Sequence, residues 1–130
     1  MTATRFQNAR ITAEGLTTTW SSVPEPGEQS ELLLTVLARR TDGSTIEFGA
    51  KWVRDVEDSP VVFAWDSAAV QQKNHEDAPS AITRDGDTVR VLFPRTWVDA
   101  LVDADELHAE AVVTVDGVDE SAVDVELEKQ

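Results

Sequence analysis

Hydrophobic and polar residues alternate with a period of two on both sides of an Asp42-Gly43 pair. The run before it, ELLLTVLARR over residues 31–40, is apolar at both alternating sets of positions, whereas the run after it, TIEFGAKWV over 45–53, is apolar mainly at one set. Alternation is typical of β-strands, and Asp-Gly between two such runs favours a hairpin turn. We therefore predict a central hairpin over 31–55, with the first strand covered on both faces and the second dry on one face and mostly wet on the other.

Similar alternation continues on both sides of this hairpin. Predicted strands occupy 4–13, 16–20, 61–65, 82–85, 88–93, 107–115 and 118–127, with further Asp-Gly turns at Asp85-Gly86 and Asp116-Gly117. Residues 67–80 carry the weakest pattern and fit a bulged extension better than a helical turn. Helical spacing of apolar residues predicts one short turn over 96–101.

Many short strands, three Asp-Gly turns and almost no helix indicate an antiparallel sandwich or barrel. We predict an all-β fold, an antiparallel immunoglobulin-like β-sandwich of about eight strands with one short helical turn, in a single domain over residues 1–130. A jelly roll is the alternative. No run of 18 apolar residues predicts a membrane span, and the N-terminal residues lack a secretory-signal pattern.

The charge of the chain narrows its partners. Twenty-five acidic residues against eleven basic ones give a net charge of −14. This sign argues against nucleic acid phosphates and anionic lipid surfaces as partners. Only three of the basic residues are lysines, and residues 96–128 contain eleven acidic residues and no Lys or Arg. Molar salt screens such repulsion. Many acidic residues, few lysines and no cysteine resemble the composition of proteins from extreme halophiles. An ordinary acidic protein of a high-GC bacterium is the alternative.

The sequence carries no recognisable catalytic or metal-binding pattern. Cysteine is absent, as are GxSxG, HExxH, GxGxxG and P-loop motifs. His75 and His108, the two histidines, have no converging ligands along the chain, and the acidic run 103–106 lacks the Gly of a DxDxDG calcium loop. We therefore expect no enzyme activity, no catalytic residues, no cofactor and no metal.

The four tryptophans divide into two groups. Trp52 and Trp65 share the alternating faces of Phe48 and Phe63, and we predict that they pack in the core. Trp20, beside the Pro-rich loop 21–30, and Trp97, which follows Arg95, are candidate contact residues, because Trp and Arg are frequent in interface hot spots. Capping one end of the sandwich is the alternative for both tryptophans.

The C-terminal part carries a resemblance. RDGDTVRVLFP (84–94), the crossing segment 95–106 and LHAEAVVTVDGVDESAVDVELE (107–128) resemble immunoglobulin-like modules of tail, baseplate and adaptor proteins in tailed phages and related archaeal viruses. The upstream hairpin, TDGSTIEFGAKWV, suits the same pattern. The resemblance implies a structural, non-catalytic role in a virus particle, in many copies.

We therefore expect a virion structural protein of a tail, baseplate, connector or capsid decoration, assembled in the host cytoplasm. Its partners would be other virion proteins and copies of itself in a symmetric assembly, without nucleic acid or membrane. The alternative is a cellular, cytoplasmic β-sandwich module that recognises a small ligand or carbohydrate through its end loops, 21–30 and 71–80. A hydrolase with an acidic pocket is a third hypothesis.

Overall fold

A computed structural model describes residues 4–25, 30–40, 43–55, 59–102 and 108–129. The elements of these residues, in chain order, are β1 (Arg5–Thr12), β2 (Gly15–Ser21), β3 (Glu31–Arg39), β4 (Thr45–Val53), β5 (Val61–Asp66), β6 (Gln71–Asn74), a 3₁₀ turn (Ala78–Ala81), β7 (Ile82–Asp85), β8 (Thr88–Pro94), α1 (Arg95–Val102), β9 (His108–Val115), β10 (Val118–Val125) and β11 (Leu127–Lys129). The all-β prediction is confirmed. The described residues contain eleven strands, more than the roughly eight expected, and the short strands β6 and β11 are among those not anticipated.

The strands form two sheets. One sheet has the order β11-β1-β2-β8-β7, and the other has the order β10-β9-β3-β4-β5-β6. Neighbouring strands are antiparallel in both sheets except β1 and β11, which pair in parallel through Ala9 and Leu127. Since one residue, Glu126, separates β10 from β11, the chain leaves the six-stranded sheet there and joins the other.

The strand order is that of a variable-type immunoglobulin sandwich. Strands β1, β2, β8 and β7 occupy the places of A, B, E and D, and β10, β9, β3, β4 and β5 occupy those of G, F, C, C′ and C″. The predicted immunoglobulin-like sandwich is therefore confirmed. The cysteine pair and the tyrosine corner of antibody domains are missing, because the chain contains neither Cys nor Tyr.

The predicted hairpin lies at the centre of the six-stranded sheet. Strand β3 pairs with β4 along its whole length, from Glu31 opposite Val53 to Arg39 opposite Thr45, and with β9 on its other side. The prediction that both faces of β3 are covered is wrong for the second face, where Leu33 and Leu37 are only half-buried. A sandwich has two layers, so each sheet has protein on one side only.

The core lies between the sheets. Its largest fully buried side chains include Trp20, Phe48 and Phe93, and the Phe48 and Phe93 rings meet with centroids 5.4 Å apart. Burial of a phenylalanine contributes about 1.5–3 kcal/mol, so the contact between Phe48 on β4 and Phe93 on β8 joins the two layers strongly. The alternation that predicted Val89, Val91 and Phe93 as one buried face is confirmed.

The predicted turns are tight where the structure describes them. Val118 pairs with Val115 across Asp116 and Gly117, whose φ angles of 51° and 84° match a type I′ turn. Thr88 pairs with Asp85, so the two central residues of the second turn are Gly86 and Asp87, one position after the predicted Asp85-Gly86 pair. Asp42 of the central turn lies outside the described residues.

Two details of the C-terminal half differ from the predicted pattern. Residues 71–74, part of the segment assigned to an end loop, form β6 beside β5, as the extension hypothesis expected. Val123 pairs with Ala111 and therefore faces inward like Val125, yet it is 43% exposed on β10, the edge strand of the sheet. The short helical turn extends over eight residues as α1.

Candidate functional site

Trp20, a predicted contact residue, lies in the core. It is 1% exposed, its Nε1 donates a hydrogen bond to Thr18 Oγ1 at 3.0 Å, and its ring meets Phe6 edge-on at 5.2 Å. A side chain enclosed in this way has no surface to offer a partner. The interface prediction is therefore wrong for Trp20, which packs inside the core.

Trp97 and Arg95 sit at the end of the sandwich where α1 crosses. Trp97 is half-buried, with its ring 6.3 Å from Phe93 and 6.2 Å from His75 between centroids. Arg95 Nη1 donates a hydrogen bond to the Thr12 carbonyl at 2.8 Å, and Arg95 Nε lies 3.4 Å from Asp99 Oδ1. Both side chains fasten the helix to the sandwich and keep part of their surface accessible, so their role in contacts stays a prediction.

A small cleft lies beside Trp97. Its volume is about 90 Å³, and its lining is Ile46, Ala64, Asp66, Gln71, Lys73, Thr96 and Trp97. Sites for small organic ligands usually measure about 300–1,000 Å³. This cleft is too small for a sugar ring, although its lining is polar and aromatic.

A larger depression opens on the same six-stranded sheet, at β3, β9 and β10. It measures about 300 Å³ and is lined by Leu37, Arg39, Ala109, Glu110 and Asp124. Arg39, Glu110 and Asp124 are all exposed, so its charged groups are hydrated. The depression adjoins the outward side of β3 and belongs to the surface described below.

Two carboxyl groups have pKa values shifted in opposite directions. Arg40 holds the pKa of Asp66 below its usual value through hydrogen bonds of 3.3 and 3.0 Å, supported by the backbone N–H groups of Ala68 and Ala69. Burial raises the pKa of Glu47.

The two carboxyl groups do not form a catalytic pair. Asp66 pairs with Ile46, whose side chain points into the core, whereas Glu47 pairs with Trp65 and points outward. They therefore lie on opposite faces of one sheet. A general acid and base must reach the same substrate, which these positions do not permit.

The described residues contain no group of three or more His, Cys, Asp or Glu side chains placed to hold a metal ion. His75 accepts a hydrogen bond at Nδ1 from the backbone N–H of Asp77 at 2.9 Å. The acidic run 103–106 lies outside the described residues, as does the His108 side chain.

The largest surface feature is the outward side of the six-stranded sheet. We use "outer face" for the outward residues of β3, β4 and β5, which the register places in three rows: Leu33, Lys51 and Val61; Thr35, Gly49 and Phe63; Leu37, Glu47 and Trp65. Five of these nine side chains are large and apolar, and all five are half-buried rather than buried. The prediction that Trp65 packs in the core is therefore wrong. Val62 and Ala64 take the inward positions of β5.

The middle row is closely packed. A Cβ atom at Gly49 would lie 2.6 Å from Phe63 Cζ and 2.8 Å from Thr35 Cγ2, so the Phe63 ring rests directly on the Gly49 backbone. On the far side of Thr35, Val112 of β9 is half-buried as well. The outer face is therefore largely apolar along β3 and β5, with Lys51 and Glu47 on β4 at its two ends.

The sequence of β5 does not reveal this face. The run Val61–Trp65 is apolar at every position, so periodicity alone does not tell which side is inward. The one available signal was Gly49, since a glycine inside a strand often marks a site that a neighbouring group approaches closely.

The edge of the sheet at β10 is protected against pairing. Its exposed residues include Asp119, Glu120 and Asp124, and it contains the register shift near Ser121. Charges and bulges on an edge strand prevent another strand from adding to it. Contacts with other proteins are better served by the outer face than by this edge.

Within the described part of the chain, no helix is long and apolar enough to cross a membrane. Comparisons with protein families, with curated proteins and with solved structures gave no match. Function is therefore argued from the sandwich and its outer face.

Proposed function

We propose that this chain is a non-catalytic structural protein of a virus particle, and that it acts through protein–protein contacts. The observation that carries the proposal is the apolar outer face, where Phe63 and Trp65 are half-buried without belonging to the core. Contiguous apolar surface on a folded domain usually marks a contact site. The resemblance of residues 84–128 to modules of tailed-virus tails and baseplates supplies the type of assembly.

The charge of the chain fits such an assembly in a salt-loving host. A net charge of −14 on each copy opposes close packing of many copies in dilute buffer. At molar ionic strength the Debye length is about 3 Å, and this repulsion is largely screened. Apolar contact then brings the copies together, while the carboxylates keep the free surface hydrated.

Particle analysis tests the proposal. Particles from a producing culture are purified on a density gradient in molar salt, and the chain is quantified by mass spectrometry and located with immunogold-labelled antibody. We expect many copies per particle, at one defined structural position. An abundant cytoplasmic host protein serves as the contamination control. Recovery of the chain only in particle-free fractions would refute the proposal.

The alternative is a cellular module that binds a small ligand or saccharide near its end loops. The observation in its favour is the cleft beside Trp97, which combines an aromatic ring with Asp66 and Lys73. Its volume of about 90 Å³ argues against a whole sugar. A glycan array and ligand-observed NMR, each with Trp97→Ala as the matched variant, decide the matter: binding that Trp97→Ala abolishes would support the module.

A further inference from the structure

The outward residues of β3 are arranged symmetrically about Thr35. Along the strand they are Glu31, Leu33, Thr35, Leu37 and Arg39, so a leucine stands two positions away on each side and opposite charges stand four positions away. A strand with this pattern is complementary to a second copy of itself laid antiparallel across it. Leu33 would meet Leu37, and Glu31 would meet Arg39.

Strand β4 has the same property about Gly49, which pairs with Thr35 in the middle row. Lys51 and Glu47 lie two positions away on either side, so antiparallel superposition brings Lys51 of one copy to Glu47 of the other. On β5, the outward residues Val61, Phe63 and Trp65 are all apolar, so they can face a second copy of the strand in either direction. One two-fold axis along the middle row therefore satisfies all three strands.

The charges also select this direction over the parallel one. An axis along β4 would place Glu47 against Glu47 and Lys51 against Lys51, and like charges across an interface cost several kcal/mol. In the single chain, Glu47 lies between Leu37 and Trp65 and forms no ion pair with any described residue. Burial beside these apolar neighbours raises its pKa, which indicates a carboxylate that lacks a cation.

The size of the sheet suits a dimer. Its six strands contain 44 residues, and a rise of about 3.4 Å per residue with a spacing of about 4.8 Å gives an outward surface of roughly 700 Å². A standard stable interface covers about 800 Å² per partner. A second copy therefore reaches this range when it covers the outward side of all six strands, with the outer face at the centre of the contact.

We propose that a second copy of this chain covers the outer face, sheet against sheet with antiparallel strands, and that Lys51 of each copy pairs with Glu47 of the other. Arg39 forms a second set of pairs with Glu31 of the other copy at the ends of β3, where Glu31 Oε1 also lies 3.7 Å from Lys51 Nζ of its own chain. The proposal rests on the assembly function proposed above and names its contact surface and its partner. The ion pairs set direction and register, and the apolar residues of the outer face supply most of the affinity.

Charge reversal tests the pairing on the purified chain. Sedimentation velocity across a concentration series in molar KCl is expected to show a monomer–dimer equilibrium for the natural chain. Glu47→Lys and Lys51→Glu are each expected to raise the dimer dissociation constant at least about tenfold, because each replaces two attractions by two repulsions. The double variant E47K/K51E is expected to return the constant to within about threefold of the natural value.

Matched controls carry the same charge changes elsewhere. Glu14→Lys, in the turn between β1 and β2, and Arg90→Glu, on the other sheet, are exposed positions and are expected to leave the constant unchanged. Thermal unfolding by circular dichroism checks that every variant folds.

Three results would overturn the dimer: a natural chain that is monomeric throughout the concentration series, a dimer indifferent to both single reversals, or a double variant that stays as weak as the singles. None of them decides the virion proposal, which depends on particle composition. Conversely, a dimer with the expected rescue would stand even if particles lacked the chain.

Discussion

Gly15 offers a sharp test of how the two sheets are built, because an alanine there meets backbone rather than a movable side chain. Gly15 begins β2 opposite Pro94, with φ of 145°. A Cβ at this position would lie 1.9 Å from the Phe93 carbonyl oxygen, far inside any possible contact distance. Gly15→Ala therefore forces β2 away from the end of β8, next to the start of α1.

The magnitude follows from two contributions. Holding an L-residue in this region of φ costs about 1–3 kcal/mol. Displacing a packed strand to admit the methyl group costs about 1–3 kcal/mol more. We expect a loss of roughly 2–6 kcal/mol, a large part of the 5–15 kcal/mol that stabilises a typical domain.

The matched control is Gly117→Ala, whose φ of 84° is also positive but whose added Cβ meets nothing within 4 Å. It is expected to lose only about 1–2 kcal/mol. Urea unfolding in molar KCl, followed by tryptophan fluorescence, measures both changes. Equal losses for the two variants would refute the packing of β2 against β8 described here.

Three further substitutions test single contacts by the same unfolding assay. Asp66→Asn removes the ion pair with Arg40 and is expected to cost about 1–2 kcal/mol at neutral pH. Because folding lowers the pKa of Asp66, that contribution is present above the ordinary value of 3.8 and is lost as pH falls through the folded pKa; an equal loss at all pH values would contradict it. Glu47→Gln, measured at concentrations below the dimer dissociation constant, is expected to change the pH dependence of stability in the opposite direction. The raised pKa of Glu47 means that its carboxyl group favours folding most below the ordinary value of 4.5, so the variant gains over the natural chain as pH rises, and a gain only in acid would contradict this. Val70→Gly relieves a φ of 50° at a residue that is 74% exposed, and we expect a gain of about 0.5–1 kcal/mol; a loss would mean that Val70 is not held in that conformation.

The periodic strands were predictable because local physics fixes them. Ile46, Phe48 and Ala50 are separated by polar residues or glycine, so the pattern specifies which face of β4 meets the core. The Asp116-Gly117 turn was predictable as well, since a type I′ turn needs two residues that tolerate positive φ.

Other features depended on partners distant in the chain. Trp65 stands in a run that is apolar at every position and Trp20 stands among threonines and serines, yet Trp20 is buried and Trp65 faces outward. The neighbouring strands decide whether each side chain points toward the core or away from it, and the local sequence does not specify this. For the same reason the local pattern of residues 118–127 does not specify the register shift between Asp119 and Ser121.

The sequence by itself determined the class of this protein: an acidic, cysteine-free sandwich of short antiparallel strands, because alternation, Asp-Gly pairs and composition are local properties. Only the tertiary structure decided which side of each strand meets the other layer. The symmetric arrangement of Glu47 and Lys51 around Gly49 is visible in the sequence of β4 alone. Only the folded sheet places apolar side chains of β3 and β5 on both sides of these charges. A surface complementary to a second copy therefore exists only in the tertiary structure.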